Sequence, residues 1–185
     1  MEDAKIVELY WQRSESAIAE TAAKYGAYCR SIAFNILSSL PDSEEAVNDT
    51  YLSAWNSMPP HRPSVLSSFL GKITRRISID RWRERHAARR GGGEVTLALD
   101  ELSECIASRK NTEQEAEAAE LGRYIDGFIM ALPEIERHVF ISRYWYLESV
   151  ERIARRFGFT ESKVKMMLHR SRVKLREFLE KEGLM

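Results

Sequence analysis

Nowhere in the chain do Val, Ile and Thr alternate with polar residues between turn signals; its apolar residues recur at spacings of three and four. Side chains three or four apart share one face of a helix, whereas a half-buried strand needs every second position apolar. The pattern therefore dictates an all-α chain. It predicts helices over residues 4–20, 22–38, 43–57, 65–86, 117–131, 133–146, 150–157 and 161–181. "SLPDSEEAV" supplies a helix start, with Asp42 or Ser43 placed to accept free amide protons and Glu44 and Glu45 beside the positive helix end. "MPPHRPS" interrupts the chain with three prolines, and "RRGGG" ends the helix that follows.

Those breaks divide the 185 residues into two small helical domains, a bundle over 1–90 and a second domain over 118–185. The intervening 91–117, weakly patterned and acidic, reads as a linker, although its "VTLAL" could dock as a short element. Domains of this size bury only about 60% of their unfolded surface, so binding a partner would contribute to stability. No internal repeat points to a solenoid. "MEDAKIVELYWQRSES" lacks the basic start and apolar core of a secretory signal, and no run approaches the ~20 apolar residues of a membrane span. A cytoplasmic protein without membrane insertion is the expectation. Cys29 and Cys105 have no CxxC or Cys/His spacing, which favours reduced thiols over a zinc site. His61, His86, His138 and His169 are scattered, and neither paired catalytic carboxylates nor a Gly-rich phosphate loop occurs, so the expectation is no enzyme, no metal and no cofactor.

The formal net charge is zero, but the charges are sorted along the chain. Lys72 to Arg90 holds eight basic residues against Asp80 and Glu84; Gly91 to Gly122 holds eight acidic ones against Arg109 and Lys110; Glu151 to Lys181 returns to ten basic against four acidic. Two cationic segments with an acidic connector suit two faces that meet a polyanion while the connector is repelled by it.

The second cationic segment also has the residue types of a helix-turn-helix. Crossing helices need a small residue at their contact, a glycine in the left-handed turn and apolar residues locking each helix to the core. From Val150 onward these needs are met by Ile153 and Phe157 as apolar positions, Ala154 as the small contact, Gly158 as the turn, Phe159 as a core residue, and Val164 with Met167 as locks on the second helix. Thr160 is placed to cap that helix. Glu161, Ser162, Lys165, Met166 and His169 then form its outward face, with Arg170, Arg172, Lys174 and Arg176 continuing onward, the early ones suited to base edges and the later cations to phosphates. In "VLSSFLGKITRRISIDRWRERH", Phe69, Leu70, Ile73 and Ile77 make an apolar stripe, while Trp82 stands among arginines, a combination that suits an unstacked base as well as core packing.

"DSEEAVNDTYLSAW", "FLGKITRRISIDRWRER", "LPEIERHVFISRYW" and "VERIARRFGFTESKVKMMLHRSRVKLREF" occur in the order and spacing of the extracytoplasmic-function group of bacterial RNA polymerase sigma factors, which the chain resembles over nearly its whole length. The resemblance implies a non-enzymatic initiation factor whose partners are core RNA polymerase, through its clamp helices and flap, and promoter DNA, with an anti-sigma protein as a further candidate. The first domain would engage the clamp and the minus-10 element, the second the minus-35 element, and the acidic linker would thread toward the active-centre cleft and RNA exit path.

Carried over by position, the resemblance assigns Asp42, Glu45, Asn48, Asp49, Tyr51 and Trp55 to polymerase binding. The competing reading puts Tyr51, Trp55, Val47 and Leu52 in the core. His61, Arg62 and Ser64 fall in the loop that captures a flipped nontemplate base, and Lys72, Arg75, Arg76, Asp80, Trp82 and Arg83 in the melting and minus-10 segment; Asp80 could equally tie arginines in place. The minus-35 contacts would be Glu161, Ser162, Lys163, Lys165, Met166, His169, Arg170 and Arg172. The chain departs from the family at Asn48, Tyr51 and Arg76, where Gln, Phe and Asn are common, and at Lys163–Met167, where a Thr-Val-Lys-Ser-Arg run is common, so promoter specificity does not transfer. The alternatives from other classes are a stand-alone helix-turn-helix regulator and a helical adaptor that binds protein only.

Overall fold

A computed structural model describes residues 1–86, 93–106 and 115–183. Among them the regular structure is helical throughout: α1 (Asp3–Trp11), α2 (Ser16–Leu37), α3 (Leu40–Ser57), α4 (Leu66–His86), α5 (Glu94–Ile106), α6 (Glu115–Ala131), α7 (Glu134–Tyr144), α8 (Val150–Phe157) and α9 (Glu161–Lys181). The chain divides into two compact units, Met1–Gly91 and Gly92–Met185. Residues 87–92 and 107–114, and the His86 and Cys105 side chains, lie outside the described residues.

In the first unit, α2, α3 and α4 pack on one another and α1 lies against α2. Ile6, Val7 and Tyr10 of α1, Cys29 and Ala33 of α2, Ala46, Val47 and Ala54 of α3, and Leu66, Leu70 and Ile73 of α4 make one buried cluster. Phe69 and Ile77, read as part of the α4 stripe, are only partly buried against it. Polar groups in this core are satisfied: Thr50 Oγ1 donates to the Ala46 carbonyl at 2.8 Å and lies 3.1 Å from Thr74 Oγ1, and the Tyr10 and Thr21 hydroxyls meet at 2.9 Å. Burial pushes the Cys29 thiol up, the condition of an inert structural cysteine. Gly71 allows α4 to come close to α2, since a Cβ there would stand 2.5 Å from the Tyr28 hydroxyl.

The first predicted helix, 4–20, is two helices. Arg13 takes φ 54° and the Ser14 amide returns to the Leu9 carbonyl at 2.9 Å, so the chain turns before α2 begins. The apolar spacing survives that turn, which is why periodicity alone misses it. Helix α3 starts three residues earlier than predicted, with Ser39 as its extended N-cap and Pro41 in its first turn. Asp42 and Ser43 are therefore already helical, and Ser43 Oγ donates to the Ser39 carbonyl at 2.6 Å instead of capping.

In the second unit, α9 is the axis against which α5, α6, α7 and α8 pack. Val164, Leu168, Leu175 and Leu179 of α9 are buried, as are Val139 and Phe140 of α7 and Ile153 of α8, and Phe178 stacks obliquely on Phe128 of α6 with ring centres 5.7 Å apart. Residues 94–106, read as the start of a linker, form a regular helix of this unit, burying Val95 and Ala98. The apolar "VTLAL" spacing is the signal for that docking.

Candidate nucleic-acid interface

The helix-turn-helix is built from local capping upward. Ser149 opens α8 by accepting the Arg152 amide at 3.2 Å, and Gly158 closes it at φ 65°, a left-handed conformation that costs other residues about 1–2 kcal/mol. Thr160 opens α9 by accepting the Lys163 amide at 3.2 Å. Ile153, Ala154 and Val164 are buried as their roles demand. Two positions differ from expectation: Leu168, rather than Met167, is the second lock, and Phe159 is half-buried, carrying the Lys163 ammonium 3.5 Å from its ring centre.

Glu161, Ser162, Lys163, Lys165, Met166, His169 and Arg170 are all exposed on α9. Lys165 Nζ stands 3.6 Å from Glu161, a solvent-screened pair one turn apart that leaves the cation available. Arg172, assigned to the same face, is not on it. Its side chain is only 19% exposed and its guanidinium donates to the Tyr144 hydroxyl at 2.7 Å and pairs with Glu101 of α5 at 3.2 Å. Tyr144 in turn donates to Glu101 at 3.0 Å, and burial raises the phenol above its ordinary value. Beneath α5 lies Arg143, fully buried, whose Nη1 meets Glu94 at 2.6 Å and the Glu148 carbonyl at 3.1 Å and whose Nε is 3.6 Å from Glu101. On α8, Arg155 pairs with Glu151, and Arg156 reaches Glu148 at 2.9 Å as well as the Ser142 hydroxyl.

In the first unit, α4 presents two distinct basic faces. Lys72, Arg76, Asp80 and Arg83, spaced by four, four and three, are exposed together, and Asp80 lies 3.9 Å from Arg83, the loose tie foreseen for it. Arg75 and Trp82 flank them half-buried, and desolvation, with Arg83 nearby, lowers the Arg75 guanidinium from its ordinary value. The opposite face holds two arginines that sequence reasoning missed: Arg81 meets Glu45 at 2.7 Å and also Asp49, while Arg85 grips Asp42. The hydrogen bonds from Arg85 and then Ser39 hold the Asp42 carboxyl at about 2, and Glu45 and Asp49 together hold the Arg81 guanidinium above its usual range. The i+4 spacing of Arg81 and Arg85, opposite Asp42, Glu45 and Asp49, was the available signal.

The six residues assigned to polymerase binding are thus not one free surface. Asn48 faces solvent, and Glu45, although 64% exposed at its side chain, is engaged by arginines of α4 along with Asp42 and Asp49. Tyr51 is buried, and Trp55 is half-buried and meets Tyr10 edge-on, with ring centres 6.2 Å apart. Leu52, weighed as a core residue, is 58% exposed on the same outward face as Asn48, and Leu40 is 59% exposed at the helix start. The loop residues His61, Arg62 and Ser64 are exposed.

These two basic helical faces fall in the two spans for which family relationships are found. Residues 22–88, spanning α2 to α4, match sigma-70 region 2, and residues 122–175, reaching into α9, match sigma-70 region 4. The chain belongs to the sigma-70 family. Among curated proteins this sigma chain is similar to the ECF RNA polymerase sigma factor SigE of Mycolicibacterium smegmatis, with 23% identity over 152 residues, covering 82% of the chain. The chain spans 57% of that relative's length. The extracytoplasmic-function resemblance read from the four motifs and the all-α fold are borne out. No helix among the described residues is long and apolar enough to cross a membrane.

Proposed function

We propose that the protein is a transcription initiation factor that acts by binding rather than catalysis, directing core RNA polymerase to promoters in the cytoplasm. The exposed Glu45, Asn48, Leu52 and Leu40 of α3 form a mixed acidic and apolar surface suited to polymerase. Lys72, Arg76 and Arg83 of α4, with His61, Arg62 and Ser64, serve the minus-10 element; Lys163, Lys165, Met166, His169 and Arg170 of α9 serve the minus-35 duplex, with Glu161 and Ser162 at its leading end. Arg172 supports α9 from within instead of reaching DNA.

The observation that carries this reading is that, in a chain of zero net charge, α4 and α9, one in each family-matched span, each present a row of solvent-facing cations: Lys72, Arg76 and Arg83 on one, Lys163, Lys165 and Arg170 on the other. A protein that binds strand-separated DNA more tightly than duplex shifts the equilibrium toward opening, and needs no hydrolysis to do so. Flipping a base costs a few kcal/mol, returned when the base is stacked and hydrogen-bonded. The test is electrophoretic retardation of promoter DNA by the chain alone and by the chain with core polymerase. Weak binding alone and sequence-selective binding with core are expected; tight selective binding without polymerase would instead favour a stand-alone regulator.

A further inference from the structure

Helix α1 lies outside both family-matched spans, yet its last turn is fastened to the loop assigned to base capture. The Trp11 indole Nε1 donates to the His61 carbonyl at 3.2 Å, and the guanidinium of Arg62 lies over the same indole, 5.0 Å from the ring centre. Glu8, one turn back, forms an ion pair with Arg62, and Gln12 steadies that carboxylate through a 3.2 Å hydrogen bond. Arg13, in the left-handed turn that ends the helix, donates to the Trp55 carbonyl at 2.8 Å and lies 5.2 Å over the Trp55 ring. The segment from Trp55 to Arg62 is therefore held at both ends by the end of α1.

Every one of these contacts is at the surface. Trp11 is 37% exposed, and the Arg62 and Glu8 side chains are 54% and 47% exposed. An exposed ion pair contributes little to stability, so fastening a loop this way gives little folding energy while ordering three long side chains. What it does accomplish is geometric. His61 is fixed through its backbone, and Arg62 is flattened on an indole with part of its hydrogen-bonding capacity engaged by a carboxylate.

We propose that Glu8 and Trp11 are positioning residues for nontemplate-strand capture, Trp11 setting where His61 and Arg62 stand and Glu8 restraining Arg62 from binding any phosphate indiscriminately. The inference rests on the sigma-factor reading of the loop. A phosphate oxygen that takes Arg62 competes with the Glu8 carboxylate for the guanidinium charge, so a strand whose bases also fit the loop is favoured in that competition. Specificity arises here from a repulsive element as much as from an attractive one. The stacked guanidinium keeps its plane fixed during that exchange, as a flexible ammonium would not.

The test uses holoenzyme assembled from the full chain and core polymerase, bound to a pool of single-stranded nontemplate oligonucleotides randomised over six adjacent positions and sequenced after selection. Wild type should enrich particular bases. Glu8→Gln should bind the pool more tightly overall, steepen the dependence of log K on log salt by about 0.7, as one additional phosphate contact on a single strand does, and reduce base enrichment at least threefold at one or two positions. Trp11→Ala should lose both affinity and enrichment, and Trp11→Phe, which keeps the stacking face but not the bond to His61, should recover part of the affinity. A merely structural role for Trp11 would weaken all sequences equally. The proposal is overturned if Glu8→Gln and Trp11→Phe, both folded by circular dichroism, keep the wild-type enrichment profile and salt slope while Arg62→Ala changes them. If wild-type holoenzyme enriches nothing, the sigma-factor reading itself fails, and this inference with it.

Discussion

Replacing Glu94 and Glu101 with Gln removes the two carboxylates that face the fully buried Arg143. Stripping one side of a buried ion pair typically costs about 3–5 kcal/mol because a charge is left uncompensated. Glu94 is 53% exposed at its side chain, so water already screens its share; Glu101, 21% exposed and also bonded to Tyr144 and Arg172, carries most of the effect. The loss has a ceiling, because α5 can leave and let water reach the guanidinium. Its departure exposes Val95 and Ala98, an apolar loss of roughly 2–3 kcal/mol. The expected outcome is therefore a second unit less stable by about 2–3 kcal/mol with α5 released, a fall in melting temperature of roughly 10–20 °C for a domain of this size. Thermal unfolding reads the first quantity, and amide hydrogen exchange over residues 94–103 reads the second. Arg143→Met, which removes the buried charge instead of orphaning it, should stay within about 1 kcal/mol of wild type with α5 still protected. Unchanged melting and unchanged α5 protection in the Gln double variant would refute the view that carboxylate neutralisation of Arg143 holds this helix in place.

Neutralising Lys165 and Arg170 to Gln should weaken holoenzyme binding to duplex promoter DNA about equally across sequences and lower the salt slope by about one per cation, measured by fluorescence titration at several salt concentrations. Gly158→Val, which places a β-branched residue at φ 65°, should destabilise the second unit by at least 1–2 kcal/mol in thermal melts, with Gly158→Asn affected less. Because the Asp42 carboxyl is depressed from 3.8 to about 2 by Arg85 and Ser39, its contribution to stability is complete above its ordinary value and is lost as pH falls toward about 2. Asp42→Asn should accordingly lower stability at neutral pH and flatten the decline below about pH 4, as followed by denaturant titration across that range.

What could be read from the sequence was what short-range chemistry decides. Gly158, Thr160 and the small Ala154 act within a few residues of themselves, and α8 ends and α9 begins where Gly158 and Thr160 dictate. The same is true of the exposed cations of α9 up to Arg170, whose direction follows from helical spacing alone. Arg172 escaped because its direction is decided by Glu101, far away along the chain, on a segment whose acidity suggested solvent exposure. Asp42 and Asp49 escaped for the same reason: their carboxylates resemble an outward-facing patch until α4 brings Arg81 and Arg85 across from them. The turn at Arg13 left the apolar periodicity undisturbed and so left no trace in it. Periodicity reports which face is buried, and is silent on which charges pair across the gap between helices.

The most direct measurement of the central claim, that this chain confers promoter selection on RNA polymerase, is run-off transcription by purified core enzyme on a promoter library with and without the protein. Transcripts that start at defined sites only when the protein is present, and that disappear when Lys165 and Arg170 are both neutralised, are the predicted result. Identical start sites in the two reactions would contradict it.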